Sequence, residues 1–281
     1  MKADLHLHTT ASDGKLSPEE LVRRAEEMGL SVIAITDHDS VSGIPSALEV
    51  AKSSNLLVIP AVEISTDVPN GEVHILGYFI DYRHPELSHA LERLRASRYE
   101  RGRKMVDKLR EMGIHIEWGR VLELASDGSI GRPHIVQAML ERGYISTFKE
   151  AFTSYIGRNG PAYVERRKIT PIEAIALVLK ANGLPVLAHP AEIEQLVPLI
   201  QQLKKAGLVG IEVYYNCYSL NTIAYLKALA EEYNLVTCGG SDYHGLSGAG
   251  GEMGNTGLPQ EAIEQLVTLA RSKQEGNKLE R

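Results

Sequence analysis

The sequence predicts an α/β fold in which a closed or nearly closed barrel is interrupted by a block of helices. Three observations support this expectation. Short apolar strands alternate with amphipathic helices over 1–84 and again over 169–281, as is typical of a parallel sheet covered by helices. Six or seven such units favour a barrel over an open doubly wound sheet. Residues 85–168 show long helical patterns and few strand signals, which predicts a helical insert.

The first part of the barrel is predicted to hold four strands and two helices. Ser17 and Pro18 supply the cap and first-turn proline of a helix that ends at Gly29, and an Asn70–Gly71 turn precedes the fourth strand. The second helix spans Ile44 to Ser53. The predicted strands are Ala3 to Leu7, Val32 to Ile35, Leu56 to Val62 and Glu72 to Ile80.

The insert and the second part of the barrel complete the prediction. In the insert we expect a long basic helix from Leu87 to Met112 and another from Pro133 to Arg142. After it we expect helices over Pro171 to Ala181, up to Ala206, over Leu220 to Glu232 and from Pro259 onward. The predicted strands between them are Pro185 to Ala188, Val209 to Tyr214 and Leu235 to Cys238.

Composition excludes several classes of protein. The chain has 281 residues with 43% hydrophobic and 23% charged residues, which is ordinary for a soluble globular protein. No apolar run is long enough to cross a membrane, and the first residues lack a signal-peptide pattern. Two cysteines do not suggest a disulfide framework. We therefore expect a cytoplasmic protein with no membrane association and no obligate protein partner.

Charge is unevenly spread along the chain. The segment from Arg83 to Lys168 holds 17 Lys and Arg against 11 Asp and Glu, whereas the net charge of the whole chain is −6. The remainder is therefore strongly acidic. This pattern suggests a carboxylate-rich metal centre beside a surface that attracts anions, although a solvated helical face would give the same count.

Ligand-type residues collect at the ends of the predicted strands. His6 and His8 share one face of the first strand because side chains alternate along a strand. His38, Glu63, His189 and the Asp242/His244 pair also follow strands, and only His74 lies inside one. In parallel α/β barrels this rim is where active sites are built. With Asp13 the set holds nine candidate ligands, enough for two or three metals.

The ligand types narrow the chemistry. Imidazole and carboxylate without thiolate suit Mn²⁺, Fe²⁺ or Zn²⁺, and the residue types do not separate these metals. The sequence carries neither a Gly-x-Gly-x-x-Gly dinucleotide signature nor a Walker phosphate loop. No Ser-His-Asp or Cys-His arrangement competes as a nucleophilic site.

These motifs resemble those of the PHP (polymerase and histidinol phosphatase) superfamily. The resemblance covers the whole chain in order, with an insert after His74. It rests on His6-x-His8 with Asp13, Thr36-Asp37-His38, Glu63 with His74, Ala188-His189-Pro190 and Ser241-Asp242-x-His244. Within the family the chain is most similar to small bacterial phosphoesterases that act on nucleotides. The resemblance implies a distorted seven-stranded (β/α) barrel with a trinuclear centre, for which we expect two to three divalent ions, Mn²⁺ first.

The resemblance also implies a grouping of the ligands. One metal would be held by His6, His8, Glu63 and Asp242, a second by Asp13, His38 and His244, and a third by Glu63, His74 and His189. Many relatives carry histidine where this chain has Asp13, a harder and anionic ligand. A metal-bridging hydroxide would attack phosphorus in line, with Asp37 and His244 as second-layer or proton-transfer groups.

The insert is expected to bind the substrate. Arg132 and His134 lie at a predicted helix N-terminus, a favourable place for phosphate. Tyr155 could stack on a base while Arg158 holds a phosphate. For each motif the alternative is ordinary: a helix start with a solvated arginine, or a glycine-rich turn with Tyr155 packed in the insert's core. Resemblance to the nucleotide-cleaving relatives favours a functional role for Arg132, His134 and Arg158.

The predicted function is metal-dependent hydrolysis of nucleotide phosphomonoesters. The first candidate substrate is the 3′-phosphate of a nucleoside 3′,5′-bisphosphate, because two phosphate-binding motifs beside a metal centre suit two phosphates. Stepwise 5′-to-3′ hydrolysis of short RNA or DNA is the first alternative. Hydrolysis of histidinol phosphate and a non-catalytic PHP module are the others.

Overall fold

The computed structural model describes residues 1–68, 71–126, 128–166, 169–246 and 251–279. Seven strands follow one another around a single sheet in chain order. The strands are β1 (Ala3–Leu7), β2 (Val32–Ile35), β3 (Leu57–Val68), β4 (Gly71–Tyr78), β5 (Leu184–Leu187), β6 (Gly210–Tyr215) and β7 (Val236–Gly240). The predicted distorted seven-stranded barrel is confirmed.

Ten α-helices surround and interrupt this sheet in the part of the chain that the structure describes. Six belong to the barrel: α1 (Pro18–Glu27), α2 (Ile44–Ala51), α7 (Pro171–Lys180), α8 (Leu196–Ala206), α9 (Leu220–Glu232) and α10 (Gln260–Leu279). Four lie between β4 and β5: α3 (Pro85–Glu111), α4 (Trp118–Ala125), α5 (Arg132–Glu141) and α6 (Phe148–Ala151). A π-helical turn, Phe152–Ile156, continues α6. Among the described residues no helix is long and apolar enough to span a bilayer.

The sheet departs from an all-parallel barrel at β4. This strand runs antiparallel to both β3 and β5, whereas the remaining neighbours are parallel. The connection from β3 to β4 is too short for a crossover, so the two strands form a hairpin. Asn70 of the predicted turn lies outside the described residues. The antiparallel direction explains why His74 lies inside a strand, whereas the other candidate ligands follow one. In β4 the beginning of the strand, rather than its end, reaches the rim of the barrel where the ligands collect.

The predicted end of the third strand is wrong. β3 continues past Glu63 to Val68, since Ile64, Ser65 and Thr66 pair with the opposite strand of the hairpin. Glu63 therefore lies in the middle of a strand, with a parallel bridge to His38. This position places the Glu63 carboxylate at the rim of the barrel, between the strands that precede β3 and the strands that follow it.

β1 and β7 approach each other closely and nearly close the barrel. The backbone N–H of His8 donates to the carbonyl of Tyr243 over 3.0 Å. A Cβ at Gly240 would lie 2.2 Å from the Cβ of His6, so only glycine permits this approach. The buried Asp4 carboxylate accepts from the N–H groups of Ser241 and Gly254, at 2.9 and 2.7 Å. These contacts fix His6 beside the residues that follow β7.

The insert shares its longest helix with the barrel. The first half of α3 contributes Leu87, Leu91 and Leu94 to the apolar cluster that covers the sheet. The second half, from Met105 onward, belongs to a separate apolar cluster that extends to Ala162. The boundary at residue 85 thus marks the start of a helix that packs on both units. A separate substrate-capping role for 85–168 stays a prediction.

Candidate metal centre

Glu63 lies at the centre of a cluster of histidines. Its Oε2 is 3.2, 3.3 and 3.1 Å from ring nitrogens of His6, His8 and His38. Its Oε1 is 2.8 and 3.1 Å from ring nitrogens of His74 and His189. One fully buried carboxylate thus faces five imidazoles, an arrangement that suits a bridging metal ligand.

The nine predicted ligands converge, and one of their three compact groups matches the grouping that the resemblance implies. The compact groups are His6–His8–Glu63–Asp242, His8–Asp13–His38–His244 and His38–Glu63–His74. The first group agrees with the implied set. His8 joins the second group as well, and His38 takes the place expected for His189 in the third. His189 contacts Glu63 but lies outside all three groups.

Several buried atoms in this cluster have no hydrogen-bond partner among the described residues. They are His6 Nε2, His8 Nδ1, Asp13 Oδ1, His38 Nδ1, Glu63 Oε2 and His74 Nε2. Buried polar atoms are normally paired, and unpaired lone pairs that point into one space are what a metal ion requires. The donor set therefore fits divalent cations, as an imidazole and carboxylate site without thiolate.

Charge and burial act against each other in this cluster. Burial acts to lower the pKa of His8, but hydrogen bonds to Asp242 and Glu63 raise it to about 10. Burial dominates at His38 and lowers its pKa to about 3, although Glu63 and Asp13 oppose the shift. Burial acts to raise the pKa of Asp242, but His6 and His244 hold it well below its usual range. Asp242 is therefore ionised at neutral pH, as a ligand must be.

Glu212 on β6 contacts two of the candidate ligands and was not predicted from the sequence. Its Oε1 accepts from His6 Nδ1 over 3.1 Å, and its Oε2 accepts from the backbone N–H of His189 over 2.7 Å. The first bond fixes the tautomer of His6, so Nε2 faces the cluster. The one available signal was a single carboxylate inside an otherwise apolar strand.

Asp242 and His244 are oriented by neighbours in the same way. His244 Nδ1 donates to the backbone carbonyl of Asp242 over 2.8 Å, which leaves Nε2 facing Asp13 at 3.4 Å. Tyr215, also missed in the sequence, donates its hydroxyl to Asp242 Oδ2 over 3.0 Å. Asp242 and His189 have positive φ angles, 53° and 27°, which are uncommon for residues other than glycine. Such conformations cluster at functional sites.

Asp37 faces a loop rather than the cavity. Its carboxylate accepts from the backbone N–H of Thr9 at 2.8 Å, from the Thr9 hydroxyl at 2.7 Å and from the Ser12 hydroxyl at 2.6 Å. This loop leads to Asp13. These contacts support a positioning role for Asp37. None of them points the carboxylate into the cavity, where the predicted proton transfer would take place.

A cavity of about 490 Å³ separates the metal ligands from the insert. Asp13, His38, His74, Asp242 and His244 are among the residues that line it. Arg98, Arg101, Arg132 and Lys149 lie among its remaining walls. A cavity lined both by candidate metal ligands and by cationic side chains suits a polyanionic ester.

The predicted substrate residues fall in different places. Arg132 lines this cavity, donates to Glu72 over 2.9 Å and stacks on Phe152 at 5.3 Å. His134 is buried, accepts from the N–H of Gly131 through Nδ1 and lines an adjoining cavity instead. Tyr155 packs against the apolar cluster of the insert. Arg158 is exposed and lies outside the residues that line the first cavity.

Comparisons with known proteins agree with this site. The sequence profile of the PHP domain matches residues 4–144. The 5′-3′ exoribonuclease Rnm of Salmonella typhimurium is 37% identical over 86% of this chain and 84% of its own. The 3′,5′-nucleoside bisphosphate phosphatase of Chromobacterium violaceum is 30% identical over 90% of both chains. A crystal structure from Bifidobacterium adolescentis, provisionally assigned as a metal-dependent phosphoesterase, superposes with a TM-score of 0.87 at 28% identity and covers 95% of each chain.

Proposed function

The chain belongs to the PHP domain family and is a metal-dependent phosphoesterase, and from that premise we propose that it hydrolyses nucleotides carrying two phosphates. The first candidate substrate is a nucleoside 3′,5′-bisphosphate, with the 3′-phosphate as the group removed. The relatives that span most of the chain include proteins named as a phosphatase, an exoribonuclease and a cyclic phosphate diphosphodiesterase. The chain is therefore an enzyme rather than a non-catalytic module.

One observation carries the proposed substrate. The cavity beside the metal ligands has Arg98, Arg101, Arg132 and Lys149 in its walls. Arg98 pairs with Asp39 and Arg132 pairs with Glu72, which also lines the cavity. The metals would neutralise one phosphate, so Arg101 and Lys149 suit further negative charge in the same molecule. A nucleoside with a phosphate on each side of its sugar supplies that charge.

We propose that the nine converging side chains hold two or three divalent cations, Mn²⁺ first. When bound, such ions stabilise charge on the phosphoryl oxygens and make a nucleophile from water at neutral pH. Glu212 and Tyr215 would hold His6 and Asp242 in place for them. His244 lines the cavity and remains our candidate for proton transfer to the departing oxygen.

Stepwise 5′-to-3′ hydrolysis of short RNA is the second candidate. It is favoured by the 37% identity with the Salmonella typhimurium exoribonuclease. A second cavity, of about 840 Å³, also adjoins the first at Asp13, Phe148 and Lys149. It offers space for a nucleotide on the far side of the bond that is cut.

Phosphate release and product analysis separate these candidates. Mn²⁺-loaded protein is incubated with adenosine 3′,5′-bisphosphate, with 5′-AMP and with a 5′-phosphorylated RNA trimer. The proposal predicts that the bisphosphate is the best substrate and gives 5′-AMP, which is not cleaved further. Release of mononucleotides from the trimer with equal efficiency would establish the exonuclease instead. Preference for 5′-AMP over the bisphosphate would contradict both.

A further inference from the structure

The turn over residues 189–192, which follows β5 and carries His189, is the most exposed part of the metal cluster. The His189 side chain is 31% exposed, whereas the other five histidines of the candidate set are at most 16% exposed. The backbone of His189 has φ 27° and ψ 58°, in the left-handed region that residues other than glycine rarely adopt. Such a conformation persists only where neighbouring groups hold it. The 189–192 turn therefore needs support from other elements.

Two side chains from the end of β6 supply that support. Glu212 Oε2 accepts from the backbone N–H of His189 over 2.7 Å. Two residues further on, the hydroxyl oxygen of Tyr218 accepts from the backbone N–H of Ala191 over 3.0 Å. The turn is thus held at two points, and in this position His189 Nε2 lies 3.1 Å from Glu63 Oε1.

The local structure after β6 explains how Tyr218 reaches the turn. The backbone N–H of Tyr218 donates to the carbonyl of Tyr215 over 2.9 Å, so the chain reverses directly after the strand. The ring centroids of the two tyrosines lie 4.9 Å apart. The register of β6 is irregular between Glu212 and Tyr214. This irregularity lets Glu212 and Tyr215 both face the cluster, although residues three apart in a regular strand point to opposite faces.

The two tyrosines connect candidate ligands that come from different strands. Tyr215 donates its hydroxyl to Asp242, which follows β7, and Tyr218 holds the turn that follows β5. The ring of Tyr215 also lies 6.3 Å from the ring of His189. Asp242 belongs to one of the compact groups of ligands, whereas His189 lies outside all three. The position of the 189–192 turn therefore decides how His189 meets a metal.

We propose that Tyr218 is a positioning residue for metal binding, whose hydroxyl holds the 189–192 turn so that His189 can ligate a divalent cation together with Glu63. This inference rests on the proposed binding of divalent cations by the nine converging side chains. A tyrosine hydroxyl suits this role because it can accept from a backbone N–H as a neutral group. It therefore restrains the turn without adding negative charge beside Glu212 and Glu63.

The binding test removes only the hydroxyl group. Tyr218→Phe keeps the ring against Tyr215, and Tyr225→Phe, at a 53% exposed position of α9, is the matched control. Isothermal titration of the metal-free proteins with Mn²⁺ should show that Tyr218→Phe raises the Kd of one ion about tenfold. Tyr225→Phe should leave every Kd unchanged. Equal Kd values in Tyr218→Phe and the wild type overturn the inference alone, whereas a wild type that binds no Mn²⁺ contradicts the proposed function and this inference with it.

A double-mutant cycle with His189 separates positioning from a general effect on structure. In His189→Ala the ring that Tyr218 is proposed to position is absent. Adding Tyr218→Phe to that variant should therefore change the Kd for Mn²⁺ less than about twofold. Circular dichroism of the metal-free proteins verifies that each variant is folded. A further tenfold rise of the Kd in the double variant would show that Tyr218 acts independently of His189 and would overturn the inference.

Discussion

At the scale of single residues, the side chains that contact the candidate ligands decide which ligand atoms can bind a metal. Glu212 occupies both of its oxygens, one with the His6 ring and one with the backbone of His189. It is fully buried, so no solvent can replace it. The carboxylate thereby sets the tautomer of one ligand and the backbone position of another.

Replacing Glu212 should weaken metal binding more than it weakens the fold. Glu212→Gln keeps the shape but turns one acceptor into a donor, so His6 and His189 cannot both be held. We expect the apparent Kd for Mn²⁺ to rise about 10- to 100-fold, measured by isothermal titration. Glu232→Gln, at the exposed end of α9, is the control. Equal Kd values for the two variants would exclude the orienting role.

Asp37 allows a positioning role to be separated from proton transfer. Asp37→Asn loses part of the acceptor set that holds Thr9 and Ser12, and we expect about 1–3 kcal/mol less stability in urea unfolding. Because the carboxylate faces the loop, the pH profile of kcat should keep its shape. A shifted limb in that profile would instead place Asp37 in the proton path, as first expected from the sequence.

The residue scale also shows what the sequence could and could not predict. His6, His8 and His38 were recognisable because they follow strands in a spaced pattern. Glu212, Asp39 and Arg101 were not, because their importance comes from burial and from partners far away in the chain. Asp39, for example, pairs with Arg98, which is 59 positions away. The distant partner of such a charged residue can be identified only in the folded structure.

At the scale of elements, the start of α5 joins the insert to the metal cluster. A Cβ at Gly131 would lie 2.7 Å from Asp13 Oδ2 and 3.0 Å from the ring of Pro133. This close approach lets the helix begin directly beside a candidate ligand. Arg132 and His134 are the residues of this motif that the sequence indicates, but the glycine before them makes the close approach to Asp13.

A methyl group at Gly131 should therefore disturb the metal cluster from the insert side. Gly131→Ala must displace Asp13, and we expect lower Mn²⁺ content after gel filtration, measured by inductively coupled plasma mass spectrometry. Gly119→Ala on α4 has nothing within 4 Å of the added carbon. That control should retain its metal and gain about 0.5–1 kcal/mol of stability. Normal metal content in Gly131→Ala would contradict the coupling.

The elements also explain why strand positions were easier to predict than strand directions. The alternation of apolar residues and the β-branched residues predicted β3 and β4. These two signals report only local structure, not the direction of a strand within the sheet. The reversal of β4 follows from the short hairpin, and the extension of β3 follows from pairing across it. Neither effect is visible in the periodicity of a single strand.

At the scale of the whole molecule, the barrel closes around groups that are costly to bury. Three carboxylates and six histidines lie together among the described residues, with several polar atoms that lack partners. Divalent cations would compensate both charge and missing contacts. The barrel could be predicted because strand–helix alternation extends along the whole chain. The free-energy cost of burying these charged and polar groups could not, because it depends on the closed geometry.

Removal of metal should lower the stability of the entire protein. At a free metal concentration of 100 Kd, binding contributes about 2.7 kcal/mol, which corresponds to roughly 5–10 °C in melting temperature for a chain of this size. Differential scanning fluorimetry with EDTA, followed by Mn²⁺ in excess, measures this shift. Equal melting temperatures with and without metal would mean that the cluster does not bind it in the folded state.

The most direct test of the metal-dependent phosphoesterase account is p-nitrophenyl phosphate hydrolysis by the wild type and Glu63→Gln. Each protein is assayed after metal removal and again with Mn²⁺, and circular dichroism verifies the fold. The account predicts that the wild type is inactive without metal and active with it. Glu63→Gln should lose at least about 100-fold in kcat/KM, or roughly 2.7 kcal/mol, in the presence of Mn²⁺. Full activity of the metal-free wild type, or of Glu63→Gln, would contradict the account.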